Sequence, residues 1–196
     1  MSTFEYLTAA SRKRIANLMN QTKAKISVQH KKPTVIAIAG ASASGKTLFA
    51  QTIYDELLPE LGADGISIIK EDAYYRDQSH MTMSEREKTN YDDPNAFEHE
   101  LLCRQIEELT EGKSVDCPVY CYKTHTRIDE TITINSTPII LVEGILLFCN
   151  EELRNSFDIK MYMDTPLDIC LIRRIQRDTL ERGRSIDSIT NQYLDT

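Results

Sequence analysis

Eight residues, Gly40-Ala41-Ser42-Ala43-Ser44-Gly45-Lys46-Thr47, dictate much of the architecture around them. Small residues followed by lysine and threonine make a loop whose backbone N–H groups curl around phosphate oxygens, and such a loop works only between a buried strand and the start of a helix. Both flanks are present. Val35-Ile36-Ala37-Ile38-Ala39 is apolar throughout, as a strand covered on both faces of a parallel sheet must be. After the loop, Phe49, Ile53, Leu57 and Leu61 recur at helical spacing beside Ala50, Tyr54 and Leu58, drawing one apolar stripe along a helix. The chain therefore reads as nucleotide-binding. Lys46 reaches toward the phosphate being transferred, Thr47 offers a hydroxyl to Mg²⁺, and the helix start adds its positive dipole end.

The remaining pattern extends this unit. Ile66-Ser67-Ile68-Ile69 reads as a second strand, and residues 70–95 as a long functional loop with a helical turn around 84–88. Phe97, Leu101, Leu102, Ile106 and Leu109 mark a helix closed by Glu111-Gly112, and residues 119–122 and 130–134 a hairpin standing off the main sheet. Ile139-Ile140-Leu141-Val142 and residues 159–163 are two more strands. Pro166, with Asp164 and Thr165 as caps, opens a helix to about Glu181, and a final helix covers 186–194. Alternating strands and helices imply an α/β fold of the P-loop NTPase type, a doubly wound parallel sheet with helices on both faces. Ligands in such folds sit beyond the carboxyl ends of the strands, where the eight-residue loop, Glu71-Asp72 and Glu143 all fall.

A chain of 196 residues suits one core, assigned to 33–196. Residues 1–32 carry seven basic residues against the single acid Glu5. This basic leader reads as a helix packing through Phe4, Leu7, Ile15 and Leu18; an organelle-targeting segment is the other reading. The net charge of −7 argues against a nucleic-acid partner. No apolar stretch approaches the roughly 18 residues that cross a membrane. Five cysteines, odd in number, read as thiols of a reducing compartment, the cytoplasm. Cys117, Cys121 and His125 lack the second, tighter pair of a zinc site.

Asp72, just past the second strand, can accept a proton from an attacking hydroxyl or hold Mg²⁺ through water, although spacing alone leaves a turn-capping role open. Glu143 ends a buried strand, where an uncompensated charge is costly and a metal-linked acid is the usual reason for one. Arg173, Arg174, Arg177, Arg182 and Arg184 begin on a helix and run into a bend at Gly183, a suitable lid for a migrating phosphoryl group. The competing reading is a solvated basic face balanced by Asp168, Asp178 and Glu181.

Several motifs coincide in order and spacing. They are the eight-residue loop, Glu71-Asp72-Ala73-Tyr74-Tyr75-Arg76, the 90–97 segment Asn-Tyr-Asp-Asp-Pro-Asn-Ala-Phe, Pro118-Val119-Tyr120 with His125-Thr126-Arg127, Val142-Glu143-Gly144-Ile145-Leu146, and the arginine segment from Arg173 to Arg184. From about Thr34 to Tyr193 the chain resembles the uridine (uridine-cytidine) kinases of the phosphoribulokinase/uridine kinase family. The resemblance implies transfer of the γ-phosphate of ATP or GTP to the 5′-hydroxyl of uridine or cytidine, in pyrimidine salvage. It implies Asp72 as base and part of the Mg²⁺ shell with Thr47 and Glu143. Asp92 and Arg174, with Gln192 nearby, would bind the ribose. Tyr120 and His125 on the hairpin would lie over the acceptor site and read the base, while Arg177, Arg182 and Arg184 close over the phosphates. It also implies a homo-oligomer, a tetramer, and a further strand and helix that this sequence lacks. Asp93 stands where the family often has histidine, and Cys121 where an aspartate usually follows the tyrosine, so the preferred nucleoside stays open. So do a sister kinase acting on a sugar phosphate or pantothenate, and an inactive nucleotide-binding relative.

Overall fold

A computed structural model of the chain describes residues 32–195. The expected leader helix and its packing through Phe4, Leu7, Ile15 and Leu18 lie outside them. The elements are β1 (Thr34–Gly40), α1 (Lys46–Leu61), β2 (Ile66–Lys70), α2 (Met83–Arg86), α3 (His99–Thr110), β3 (Val115–Cys121), β4 (Thr126–Ile134), β5 (Ile139–Gly144), α4 (Glu151–Asn155), β6 (Ile159–Met163), α5 (Leu167–Glu181) and α6 (Ile186–Leu194). Short 3₁₀ turns at Glu71–Tyr74 and Pro94–Ala96 break up the long loop.

Four parallel strands form the main sheet in the order β2-β5-β1-β6. The chain leaves β1 toward one edge and β5 toward the other, so β1 and β5 flank the point where the crossovers diverge and a crevice opens. Strand alternation then divides the core. Ile36, Ile38, Ile139, Leu141 and Ile66 pack against Ala50, Ile53 and Leu57 of α1. Val35, Ala37, Ala39, Ile140, Val142 and Ile69 face Leu102, Ile106 and Leu109 of α3, together with Leu147, Leu153 and Phe157. Each fully buried aliphatic side chain contributes about 1.5–3 kcal/mol, so the two faces hold the central strands rigidly beneath the crevice.

Three expectations are corrected. Phe97 is not helical: it pairs as a bridge with Tyr75 and stacks on its ring, centroids 4.2 Å apart, and α3 starts at His99. The hairpin is longer than its apolar pattern suggests, pairing from Val115 with Ile134 to Cys121 with Thr126, and its register shifts between Pro118 and Val119, proline having no N–H for the ladder. Helix α5 is led by Pro166 with no side-chain cap. Thr165 instead donates its hydroxyl to the Ser44 carbonyl at 2.9 Å, tying the end of β6 to the phosphate loop. The small helix α4, capped by Asn150 on Leu153 N–H, has no periodic signature in the sequence.

Candidate active site

The crevice, of about 440 Å³, lies over the carboxyl ends of β1, β2 and β5 and is closed by the hairpin, α5 and α6. On the floor, Gly45 adopts φ 99°, a left-handed conformation that suits glycine and turns the loop into the first helical N–H groups of α1. Ala43, at φ 61°, takes a similar conformation at a cost of about 1–2 kcal/mol, the strain expected where backbone must point inward at a ligand. Ser42, Ala43, Gly45, Lys46 and Thr47 line the cavity, and Gly40, Ala41 and Ser44 of the same loop do not. The Lys46 ammonium donates to the Ala41 carbonyl at 2.8 Å. Burial pulls its pKa down, opposed by Glu143 and Asp72 nearby.

Thr47 donates its hydroxyl to Glu143 Oε1 at 2.8 Å, bridging the start of α1 and the end of β5. Glu143 is buried, and desolvation pushes its carboxyl above the usual range. A buried acid beside a hydroxyl, with Asp72 on the same cavity wall, is a set of hard oxygen donors that fits Mg²⁺.

Asp72 sits in the 3₁₀ turn after β2, and its Oδ2 accepts the Tyr122 hydroxyl at 2.7 Å. Its neighbour Glu71 is wholly buried. Glu71 accepts the Leu146 N–H at 2.9 Å and a ring N–H of His99 at 2.8 Å, stapling together the ends of β2 and β5 and the start of α3. Burial raises the Glu71 carboxyl, and the His99 bond opposes the shift. A Cβ on Gly144 would collide with this carboxylate, so glycine is required for the close approach. Glu71→Ala is expected to destabilise the fold by about 2 kcal/mol, since two buried donors lose their acceptor. Urea unfolding checks this, and an unchanged midpoint would deny the staple.

The opposite wall is aromatic. Tyr75 touches Tyr91 and Tyr120 with centroids 5.2 and 4.9 Å away, and His125 lies 5.4 Å from Tyr91. Burial holds the Tyr75 and Tyr120 hydroxyls protonated, and burial followed by Arg184 lowers the His125 imidazole, leaving it neutral at pH 7. Below this wall Arg174 pairs with Asp92 at 2.7 Å, and Gln192 donates to the same Asp92 oxygen at 2.9 Å. Asp93 and Cys121 do not line the crevice; Asp93 caps the following turn through Asn95 N–H.

The arginines are not a solvated face. Asp178, with its side chain 1% exposed, gathers Arg177 at 2.8 Å, Arg182 at 3.5 Å, and Arg174 and Arg184 at 3.8 Å each. Arg177 also donates to Ser42 of the phosphate loop at 3.1 Å, while Arg173 is exposed at the rim.

Every side chain singled out in the sequence as a base, metal ligand, acceptor contact or lid arginine faces this single cavity. Tyr122, Tyr75, Tyr91 and His99 carry no individual role in the sequence reading; Glu71, placed there beside Asp72 at the strand end, does not line the cavity, and Asp178 figures only among the acids of the solvated-face reading. Asp178 has one usable signal: it lies one helical turn from both Arg174 and Arg182.

The model of the phosphoribulokinase/uridine kinase family matches residues 35–196. A uridine kinase from Shewanella piezotolerans is 54% identical over 166 residues, covering 85% of this chain and 78% of that protein. One from Tolumonas auensis is 56% identical over 162 residues, covering 83% and 76%. Among solved structures, a D-glycerate 3-kinase from Cryptococcus neoformans superposes with a TM-score of 0.67 at 13% identity, over 95% of this chain and 87% of that one, a likeness of fold.

Proposed function

The chain belongs to the phosphoribulokinase/uridine kinase family, and from that premise we propose that it transfers the γ-phosphate of ATP to the 5′-hydroxyl of uridine, with cytidine as a second acceptor. The observation that carries this reading is the placement of Asp72 in one cavity between the phosphate loop and a wall of tyrosines suited to a flat base. The phosphate loop and Lys46 grip the donor tail. Asp92, Arg174 and Gln192 hold the ribose, and Tyr120 and neutral His125 face the base. Asp72 takes the proton of the 5′-hydroxyl as the new P–O bond forms, the bond to the β-phosphate oxygen breaks, and the charge passes to the leaving diphosphate. Arg177, Arg182 and Arg184 meet the charge spread over the equatorial oxygens. Thr47, Glu143 and Asp72 would hold Mg²⁺, which neutralises phosphate charge when bound. A sugar phosphate or pantothenate has no flat ring to match the tyrosine wall, and the intact base and arginines speak against an inactive relative. We place the protein in the cytoplasm as a homo-oligomer acting in pyrimidine salvage.

Radiolabelled phosphate transfer across a nucleoside panel tests the assignment. Uridine and cytidine are expected to be labelled, and labelling of neither would reject it. Tyr120→Ala is expected to raise KM for the nucleoside by about tenfold, within the 1–3 kcal/mol span of a lost aromatic contact, while KM for ATP stays within about twofold. The reverse order would put the acceptor elsewhere.

A further inference from the structure

Tyr122 lies in the turn between β3 and β4, outside both strands, yet it makes one of the most direct contacts to the reacting side of the crevice. Its hydroxyl donates to Asp72 Oδ2 at 2.7 Å, the length of a charge-assisted bond. The ring is held from two sides. Tyr120 meets it edge-on with centroids 5.4 Å apart, and the Arg182 guanidinium stands 4.0 Å above its face. Arg182 is in turn drawn to Asp178, the same carboxylate that gathers Arg174, the partner of Asp92. A continuous set of contacts therefore runs from the base, through the hairpin turn and the lid, to the acceptor-binding pair.

A carboxylate has two oxygens, and a base free to rotate presents either one. We propose that Tyr122 is a positioning residue for the phosphoryl transfer: its hydroxyl engages Oδ2 of Asp72, and the lid arginine on its ring keeps it there, so that Oδ1 meets the attacking alcohol. This deepens the preceding reading and rests on it. Tyr122 acts through Asp72 and needs no bond to the transferred group, and proton and phosphate follow the route already given.

The test uses the full chain with uridine and ATP, in four forms: wild type, Tyr122→Phe, Asp72→Asn, and both together. Phenylalanine keeps the ring under Arg182 and removes only the donor. Tyr122→Phe is expected to lower kcat by about tenfold, the worth of one hydrogen bond to a charged group, with both KM values within about twofold. In the Asp72→Asn background the same change is expected to lower kcat by less than about twofold, because there is no longer a base to position. An equal loss in both backgrounds, or no loss in either, overturns the inference. Urea midpoints of the four proteins give a readout independent of turnover: the shift caused by Tyr122→Phe is expected to fall to about half in the Asp72→Asn background, where a neutral amide oxygen replaces the charged acceptor, and equal shifts in the two backgrounds overturn the charge-assisted contact. Should the wild type leave uridine unlabelled, the substrate reading falls, and the urea comparison still decides whether the hydroxyl and the carboxylate are coupled.

Discussion

Asp72→Asn is expected to lower kcat by about 10²–10⁴-fold, the usual worth of a positioned base, with ATP affinity changed little. The substitution preserves shape. The amide oxygen can still accept the Tyr122 hydroxyl, and the 3₁₀ turn that carries residue 72 is held by the neighbouring Glu71 staple rather than by Asp72 itself. What disappears is a proton acceptor opposite the phosphate loop. Nucleotide titration with a non-transferable analogue should therefore give nearly the wild-type Kd, while single-turnover transfer to uridine collapses. Unchanged turnover would move the base elsewhere in the crevice. A large loss of nucleotide binding would make Asp72 chiefly a metal-site residue.

Asp178→Ala is expected to cost about 3–5 kcal/mol of unfolding free energy, because removing one partner of a buried ion cluster leaves the others uncompensated. Solvent screening does little to reduce this figure: the Asp178 side chain is 1% exposed, and Arg174 and Arg184 are 7% and 13% exposed. The loss should extend to function, with KM for ATP rising as Arg177 and Arg182 lose their common anchor. Asp168, on the same helix but exposed, provides the control, and Asp168→Ala is expected to stay within about 0.5 kcal/mol of wild type. Chemical unfolding of both variants decides between them. A deficit for Asp178→Ala as small as that of Asp168→Ala would return the arginines to the status of a solvated basic face.

The strands, the phosphate loop and the main helices were legible because their signals are local. An unbroken apolar run such as β1 or β5, or a four-residue apolar recurrence such as that of α1, has few other stable environments. The hairpin was legible only in part. Pro118 breaks its ladder, and Thr126–Asp129 carry too little apolar alternation to show that β4 starts there.

Residue order alone thus settled the fold class and the family, since backbone geometry and burial periodicity are written in neighbouring residues. It took the assembled molecule to decide the state of the charges. Asp168 and Asp178 are the same residue type on one helix, and the arginines one turn either side of Asp178 hint at pairing without showing that it is buried at the centre of four guanidinium groups. Tyr122 likewise reads as a hairpin aromatic until folding sets it 50 positions away in sequence against Asp72. Electrostatic roles depend on burial and on partners distant along the chain, and both exist only once the sheet, the hairpin and the arginine helix have closed on one another.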